Sequence, residues 1–212
     1  MKFATEGWPF VLPFALLAGV LLLLGRSGWA LAALVAGLAV LLFFRDPRRS
    51  YAGDTATVLA PADGLVTRID RLEDPEIGPG TYQRVVTFLS VFDVHVQKAP
   101  VEGGIVVSRY AAGRKVAAFR ENAGEVNEKH LTVFRRDNGD LVGVRQIAGL
   151  LARRVVCYLK EGDRVERAQP MGLIKFGSRV DLLVPEGYRL LVSKGDRLKN
   201  GLTPVARREE GA

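Results

Sequence analysis

The chain has 212 residues, 48% of them hydrophobic, and its 30 Lys and Arg side chains outnumber its 23 Asp and Glu side chains to give a net charge of +7. This composition excludes an intrinsically disordered protein, and the single cysteine excludes a scaffold of intrachain disulfides. The length suits one ordinary domain and an additional segment, since single domains mostly have about 100 to 200 residues.

The additional segment is apolar, because 29 of the 37 side chains at residues 8–44 are hydrophobic. One continuous helix of this length would reach about 55 Å, whereas the hydrocarbon core of a bilayer is only about 30 Å thick. The run Gly25-Arg26-Ser27-Gly28 has the residues of a turn and divides the stretch into two halves, each at the short end of spanning length. We therefore predict a membrane-anchoring helical hairpin at residues 1–44, followed by a β-rich domain at residues 45–212.

Basic residues beside the hairpin predict its orientation. Arg45, Arg48 and Arg49 directly follow the apolar stretch, and such clusters mark a cytoplasmic flank. A hairpin returns Lys2 to the same side, so we expect the domain to face the cytoplasm from the cell membrane. A cleaved signal peptide is the competing interpretation, although the run is too long and ends in no small-x-small cleavage site. A hairpin that enters the membrane surface without crossing it is also left open.

Beyond residue 51 the pattern changes to short β-like runs separated by Gly, Pro, Asn and Asp. Asn138-Gly139 between two runs favours a tight type I′ hairpin, because both residue types accept positive φ angles. Gly-Asp-Arg turns that begin at Gly162 and Gly195 resemble those of barrel-sandwich hybrid folds. The predicted fold class is mainly β (α+β) and barrel-sandwich-like, with short helices near residues 116–122 and 148–153. The predicted strands are residues 65–71, 84–90, 94–98, 104–110, 131–136, 141–147, 153–159, 180–184 and 189–192.

Two histidines and one cysteine are the first candidates for acid–base, nucleophilic or metal chemistry. Period-2 alternation puts His95 on one strand face with Asp93 and Gln97, which suits a functional face, although a solvated or hydrogen-bonded structural histidine is the other interpretation. His130 lacks such polar neighbours and Cys157 lies in an apolar run, so we assign both to structure. Two separated histidines and one cysteine do not have metal-ligand spacing, and no metal site is predicted.

Four features of the domain point to one family when they are taken together. They are Ala62-Asp63-Gly64, the Asp93-x-His95 strand, Ala152-Arg153-Arg154 and Phe176-Gly177-Ser178. In this order they closely resemble phosphatidylserine decarboxylases of the short, membrane-anchored form, and the resemblance extends from about residue 45 to residue 205. It implies that a precursor cuts itself between Gly177 and Ser178 into a β chain of residues 1–177 and an α chain of residues 178–212.

The resemblance also implies a cofactor and a reaction. Ser178 would become an N-terminal pyruvoyl group, whose carbonyl forms a Schiff base with the amine of phosphatidylserine. Loss of CO2 would leave a carbanion that this group delocalises, and protonation would release phosphatidylethanolamine. The implied function is thus that of a pyruvoyl-dependent carboxy-lyase of phospholipid biosynthesis that uses no metal.

The motif positions of the family imply further site residues. Asp63, His95 and Ser178 correspond to positions that serve self-cleavage or catalysis, with His95 as a base that an acidic residue orients, as in a Ser-His-Asp triad. Longer bacterial members carry a second histidine three residues after the first, where this chain has Lys98. Either His95 serves both the cleavage of the precursor and proton delivery in catalysis, or Lys98 contributes as a base or a phosphate contact. Asp93 is a further substrate-binding candidate.

The charge distribution agrees with a lipid partner. Residues 1–44 have a net charge of +1, so +6 resides on the domain, where basic side chains favour an anionic leaflet. A generally basic solvated surface explains the charge equally well, and nucleic acid is not a predicted partner because no binding motif accompanies the scattered cations. The predicted partners are phosphatidylserine in an anionic membrane and the α and β chains of one precursor, while a homo-oligomer is left open. An archaetidylserine decarboxylase and a non-enzymatic, membrane-tethered barrel-sandwich adaptor are the alternative functions.

Overall fold

The computed structural model of the protein divides into two compact units, Met1–Arg48 and Arg49–Ala212. Each unit has its own type of secondary structure, helical in the first and β in the second. The residues that the structure describes are 1–114, 126–149, 154–175 and 178–209.

The first unit is a helical hairpin whose ends are joined by a short pair of antiparallel strands. Gly25, with a φ of +68°, and a hydrogen bond of 2.8 Å from Arg26 N to Leu21 O turn the chain between the helices. The predicted hairpin is therefore confirmed, and its turn lies at the predicted residues. The elements of this unit are β1 (Lys2–Phe3), a 3-10 turn (Thr5–Gly7), α1 (Trp8–Leu23), α2 (Ser27–Phe43) and β2 (Arg45–Asp46).

Small side chains allow the two helices to approach closely. Ala18, Ala30 and Ala33 form a buried cluster between them, whereas most of the leucines are exposed on the outside of the hairpin. The segment Thr5–Leu23, with 19 residues, is long and apolar enough to cross a membrane, and Ser27–Phe43 is a shorter apolar helix.

The described part of the second unit consists of strands in three antiparallel sheets. Its strands are β3 (Thr57–Leu59), β4 (Gly64–Glu73), β5 (Thr81–Leu89), β6 (Val96–Lys98), β7 (Gly103–Ala111), β8 (Lys129–Arg135), β9 (Leu141–Ala148), β10 (Val155–Cys157), β11 (Arg164–Val165), β12 (Pro170–Ile174), β13 (Ser178–Pro185), β14 (Tyr188–Leu190), β15 (Arg197–Leu198) and β16 (Pro204–Arg208). The large sheet has the order β11-β7-β8-β9-β13-β5-β4-β15, and the two small sheets have the orders β10-β12-β6 and β14-β16-β3. The prediction of a mainly β domain that follows a helical hairpin is confirmed.

The main hydrophobic core lies on one face of the large sheet. Val180 and Leu182 of β13 are buried in it, together with Val58 of β3 and Ile174 of β12 from the two small sheets. Because successive side chains of a strand point to opposite faces, Ser178 shares the core side with Val180. Bulges between β4 and β5 and between β7 and β8 bend the large sheet.

Each of the nine predicted strands is present, although several bounds are shifted. The strand predicted at residues 94–98 begins at Val96, because the chain before it makes a turn in which Asp93 N donates to Ser90 O at 3.1 Å. Asp93 and His95 therefore precede the strand, and the alternation predicted for them as strand residues is wrong.

The connections between strands differ from the prediction in two places. The Asn138-Gly139 hairpin joins β8 to β9 as predicted, but Gly139 has a positive φ of +88° and Asn138 does not, so the turn is not of type I′. Ala148 completes β9 instead of beginning a helix. The rest of that predicted helix, at residues 150–153, and the helix predicted near residues 116–122 lie outside the described residues.

Candidate active site

Ser178 is the first residue of β13, which is one of the two central strands of the large sheet. Its register partners are Leu89 at the end of β5 and Ala148 at the end of β9. The side chain is fully buried, and among the described residues its Oγ has no hydrogen-bond partner. A buried hydroxyl without a partner costs about 1–3 kcal/mol, so a reactive role explains it better than a structural one. Gly177, the preceding residue, lies outside the described residues.

His95 is fully buried directly before β6. Its ring Nδ1 lies 2.9 Å from the backbone carbonyl oxygen of Asp93. A carbonyl oxygen only accepts hydrogen bonds, so the neutral ring carries its proton on Nδ1 and keeps its lone pair on Nε2. A histidine in this tautomer is able to take a proton from a hydroxyl group.

The backbone brings His95 and Ser178 into the same region of the domain. Ile174, the last residue of β12, donates its N–H to the carbonyl oxygen of His95 at 3.4 Å. Ser178 follows four residues later, and four residues extend over no more than about 14 Å. The chain therefore passes from the strand beside His95 to the start of β13, a central strand of the large sheet, within the segment that contains the predicted cleavage site.

Asp63, the predicted acidic member of the site, is buried between Arg49 and Asn200. The Arg49 guanidinium binds both carboxylate oxygens, with Nη2 3.0 Å from Oδ2. Asn200 donates its backbone N–H to Oδ1 of Asp63 at 2.8 Å and its Nδ2 to the carbonyl oxygen of Val96 at 2.6 Å. Asn200 thus connects Asp63 to the strand beside His95, whereas the group that contacts Nδ1 of the His95 ring is a backbone carbonyl.

The two further candidates, Lys98 and Asp93, lie on either side of His95 in the chain. Lys98 is buried at the end of β6, and its backbone N–H donates to Pro61 O at 2.9 Å. Oδ2 of Asp93 accepts hydrogen bonds from the backbone N–H of Ser90 at 2.8 Å and from its hydroxyl at 2.7 Å. The Asp93 carboxylate therefore holds the turn whose backbone carbonyl contacts the His95 ring.

Sequence reasoning missed several polar groups that support these residues. Gln97 Nε2 donates to the carbonyl oxygen of His95 at 2.7 Å, and Gln146 Nε2 donates to Gln97 Oε1 at 2.8 Å, with both side chains fully buried. Gln97 lay on the predicted polar face. Nothing in the local sequence distinguishes Gln146, Arg49 or Asn200, because their partners come from distant parts of the chain.

A buried ion pair lies on the face of β13 opposite Ser178. Arg179 Nε and Nη2 donate to Oδ1 and Oδ2 of Asp181 at 2.6 Å and 2.7 Å, and neither side chain is more than 4% exposed. Two parallel hydrogen bonds restrict the orientation of both groups. The pair therefore fixes the orientation of two side chains in the strand directly after Ser178.

The second histidine and the cysteine have structural surroundings. His130 Nε2 lies 3.0 Å from Ser108 Oγ, and burial lowers the pKa of His130 below its usual value. Cys157 packs against the edge of the core but is only half-buried, so the predicted core position is correct in part. Within the described ranges, no three His, Cys, Asp or Glu side chains come together as a metal site requires.

These features define a class of protein, a mainly β domain in which a buried serine at the start of a central strand and a buried histidine lie in one region. Residues 37–206 match the family model described as phosphatidylserine decarboxylase. The chain therefore belongs to the phosphatidylserine decarboxylase family. The predicted family and the predicted enzyme class, a carboxy-lyase, are confirmed.

Individual relatives match over nearly the whole chain. The phosphatidylserine decarboxylase proenzyme of Symbiobacterium thermophilum is 43% identical over 206 residues, which are 96% of this chain and 94% of that protein. The proenzyme of Saccharopolyspora erythraea is 42% identical over 200 residues, 92% of this chain and 85% of that protein. The proenzyme of Trichlorobacter lovleyi is 42% identical over 209 residues, 95% of this chain and 94% of that protein.

Proposed function

We propose that this chain converts phosphatidylserine into phosphatidylethanolamine and CO2, after it has cut itself between Gly177 and Ser178. The buried Ser178 hydroxyl, which has no hydrogen-bond partner among the described residues, carries the proposal, because a reactive role accounts better than a structural role for the free-energy cost of such a group. The names of the relatives, all proenzymes, agree with a precursor that yields a β chain of residues 1–177 and an α chain of residues 178–212. These two chains would then be partners in one enzyme.

The cleavage requires no reagent other than water. Oγ of Ser178 attacks the carbonyl carbon of Gly177, and breakage of the C–N bond turns the amide into an ester. Loss of the Cα proton of Ser178 and breakage of its Cβ–Oγ bond then release Gly177 as a carboxylate and leave dehydroalanine. Addition of water and loss of ammonia convert this residue into a pyruvoyl group.

His95 is the proposed base of the cleavage. Its Nε2 takes the proton of the Ser178 hydroxyl and gives it to the backbone nitrogen of Ser178 when the C–N bond breaks, while donation from Nδ1 to the carbonyl of Asp93 keeps the ring in the required tautomer. Asp63 is the proposed acidic residue of the site. It acts through Asn200, whose backbone N–H binds Asp63 and whose side chain binds Val96 in the strand beside His95.

The surroundings of Ser178 fit a pyruvoyl group, because the residue is fully buried at a strand start and its Oγ has no hydrogen-bond partner among the described residues. Such a group, once formed, supplies an electron sink for the carbanion that remains when CO2 leaves. Lys98 is proposed as a second base or as a contact for the lipid phosphate, and Asp93 as a further contact for the substrate.

We further propose that α1 and α2 anchor the enzyme in the cell membrane, with the domain on the cytoplasmic side. The three arginines at positions 45, 48 and 49 support this orientation, because basic clusters flank apolar segments on the cytoplasmic side. The net charge of +6 on residues 45–212 favours an anionic leaflet that contains phosphatidylserine.

Intact-mass analysis combined with an assay on phosphatidylserine vesicles tests the proposal. The wild-type chain should give two fragments, the shorter of which begins with a pyruvoyl group at position 178. Ser178→Ala should remain uncut, inactive and unable to trap substrate with cyanoborohydride, whereas Ser193→Ala, at an exposed serine, should behave as wild type. An active wild-type enzyme made of one uncut chain would refute the proposal. A parallel assay with archaetidylserine distinguishes the two lipid backbones.

A further inference from the structure

The connection between β5 and β6 exposes two apolar side chains. Phe92 is 84% exposed and Val91 is 45% exposed, although every residue from 94 to 100 is buried. A phenylalanine exposed to this extent is unfavourable in water, and exposed apolar groups gathered at one place mark contact surfaces. We call residues 91–92 the apolar tip.

The apolar tip lies at the end of the large sheet that holds the candidate site. Leu89, the register partner of Ser178, ends β5 three residues before Phe92. His95 follows three residues after Phe92, in the same connection. A contact made by the tip would therefore take place within a few residues of both proposed catalytic side chains.

A cation, Arg197, lies close to the tip, and an apolar residue lies opposite this arginine in the sheet. Arg197 forms an ion pair with Asp93 at 3.4 Å and is the register partner of Leu65, which is 37% exposed at the start of β4. Leu65 in turn is the register partner of Phe88 near the end of β5. The exposed cations of this neighbouring segment are Lys194, Arg197 and Lys199.

We propose that the apolar tip inserts into the headgroup region of an anionic bilayer, while Lys194, Arg197 and Lys199 contact lipid phosphates. The combination suits this partner, because aromatic side chains favour the membrane interface and each nearby cation adds attraction to anionic lipids. The inference rests on the proposed function, since phosphatidylserine is a membrane lipid. The contact holds the end of the sheet with Ser178 at the bilayer surface, where the lipid headgroup enters the site.

Fluorescence quenching tests this contact directly. The full chain, with its two tryptophans replaced by Trp8→Phe and Trp29→Phe, is placed in vesicles of phosphatidylcholine and phosphatidylglycerol, with or without brominated acyl chains. Phe92→Trp provides a reporter at the tip. Asn138→Trp provides the matched reporter in the exposed turn before β9, at the end of this strand that is distant from Ser178.

We expect brominated lipid to quench the Phe92→Trp reporter strongly and to leave the Asn138→Trp reporter unchanged. Equal quenching of the two reporters would overturn the proposal. Shielding of the Phe92→Trp reporter in detergent without vesicles, rising with protein concentration, would also overturn it, because the tip would then contact a second copy of the chain.

A turnover experiment separates this inference from the proposed function. Phe92→Asp should lower kcat/KM about tenfold on phosphatidylserine in vesicles and leave self-cleavage and activity on monomeric dihexanoyl phosphatidylserine unchanged. Asn138→Asp is the control and should alter neither activity. Equal losses on both substrates, or no loss on vesicles, would contradict the membrane contact. An inactive wild-type chain would refute the proposed function, while quenching, which needs no turnover, would still decide whether the tip meets the bilayer.

Discussion

Asn200 donates its backbone N–H to Oδ1 of Asp63 at 2.8 Å, although 137 residues separate them in the chain. The side chain of Asn200 makes two further hydrogen bonds, accepting from Arg49 at 2.5 Å and donating to Val96 O at 2.6 Å. After the proposed cleavage, Asn200 would belong to the α chain and its three partners to the β chain. One fully buried asparagine thus connects the two proposed fragments at the candidate site.

Asn200→Ala should destabilise the domain and slow self-cleavage. The substitution leaves the buried carbonyl of Val96 without its donor and Arg49 without one acceptor, which costs about 1–3 kcal/mol. Urea unfolding and a time course of precursor cleavage measure the two effects. Ser193→Ala, at an exposed serine, is the control and should cost no more than about 0.5 kcal/mol. Equal losses of stability in the two variants would show that the hydrogen bonds of Asn200 do not stabilise the domain.

Gly64→Ala should damage the start of β4, next to Asp63. Gly64 has a φ of +147°, and an added Cβ would lie 2.2 Å from the carbonyl oxygen of Phe88. We expect a loss of at least about 2 kcal/mol, because the clash is with backbone and adds to conformational strain. Gly195→Ala has a similar strain at φ +100° but open space around the new methyl group, so it should cost only about 1 kcal/mol. Thermal unfolding compares the two variants. A melting temperature that falls more in Gly195→Ala than in Gly64→Ala would contradict the prediction.

His95→Gln should fold but lose the proposed base. The amide group is able to replace donation from Nδ1 to the carbonyl of Asp93, yet it has no basic nitrogen. Self-cleavage should slow by about 10²- to 10⁴-fold, the usual contribution of a general base. His130→Gln is the matched control and should cleave at the wild-type rate. Normal cleavage and normal decarboxylation by His95→Gln would remove this residue from the site.

Burial of His130 makes stability depend on pH. Burial lowers the pKa of His130 below the usual value of 6.5, so the unfolded chain binds the proton more readily than the folded chain. This contribution to stability is complete above about pH 6.5 and is lost as the pH falls through the lowered pKa. The melting temperature should therefore drop more between about pH 7.5 and about pH 5 for the wild type than for His130→Gln. A drop of the same size in both proteins would exclude His130 as its source.

Local sequence patterns predicted much of the fold. The apolar stretch at residues 8–44 was too long for one span and contained turn residues near Arg26, and these two facts suffice for a hairpin. Short runs separated by Gly and Asp were enough to locate nine strands. The beginning of β6 was misplaced, since the Asp93–Ser90 turn depends on a side-chain contact that alternation does not describe.

The sequence by itself determined the apolar helical hairpin, the β class of the domain and the family, because each depends on composition, periodicity or an ordered set of motifs. The tertiary structure decided which groups surround the motif residues. Arg49 and Asn200 form hydrogen bonds with Asp63, and a backbone carbonyl contacts the His95 ring. Ser178 lies at the start of a central strand. These contacts join residues that are distant in sequence, and strand register and packing, which no local pattern encodes, bring them together.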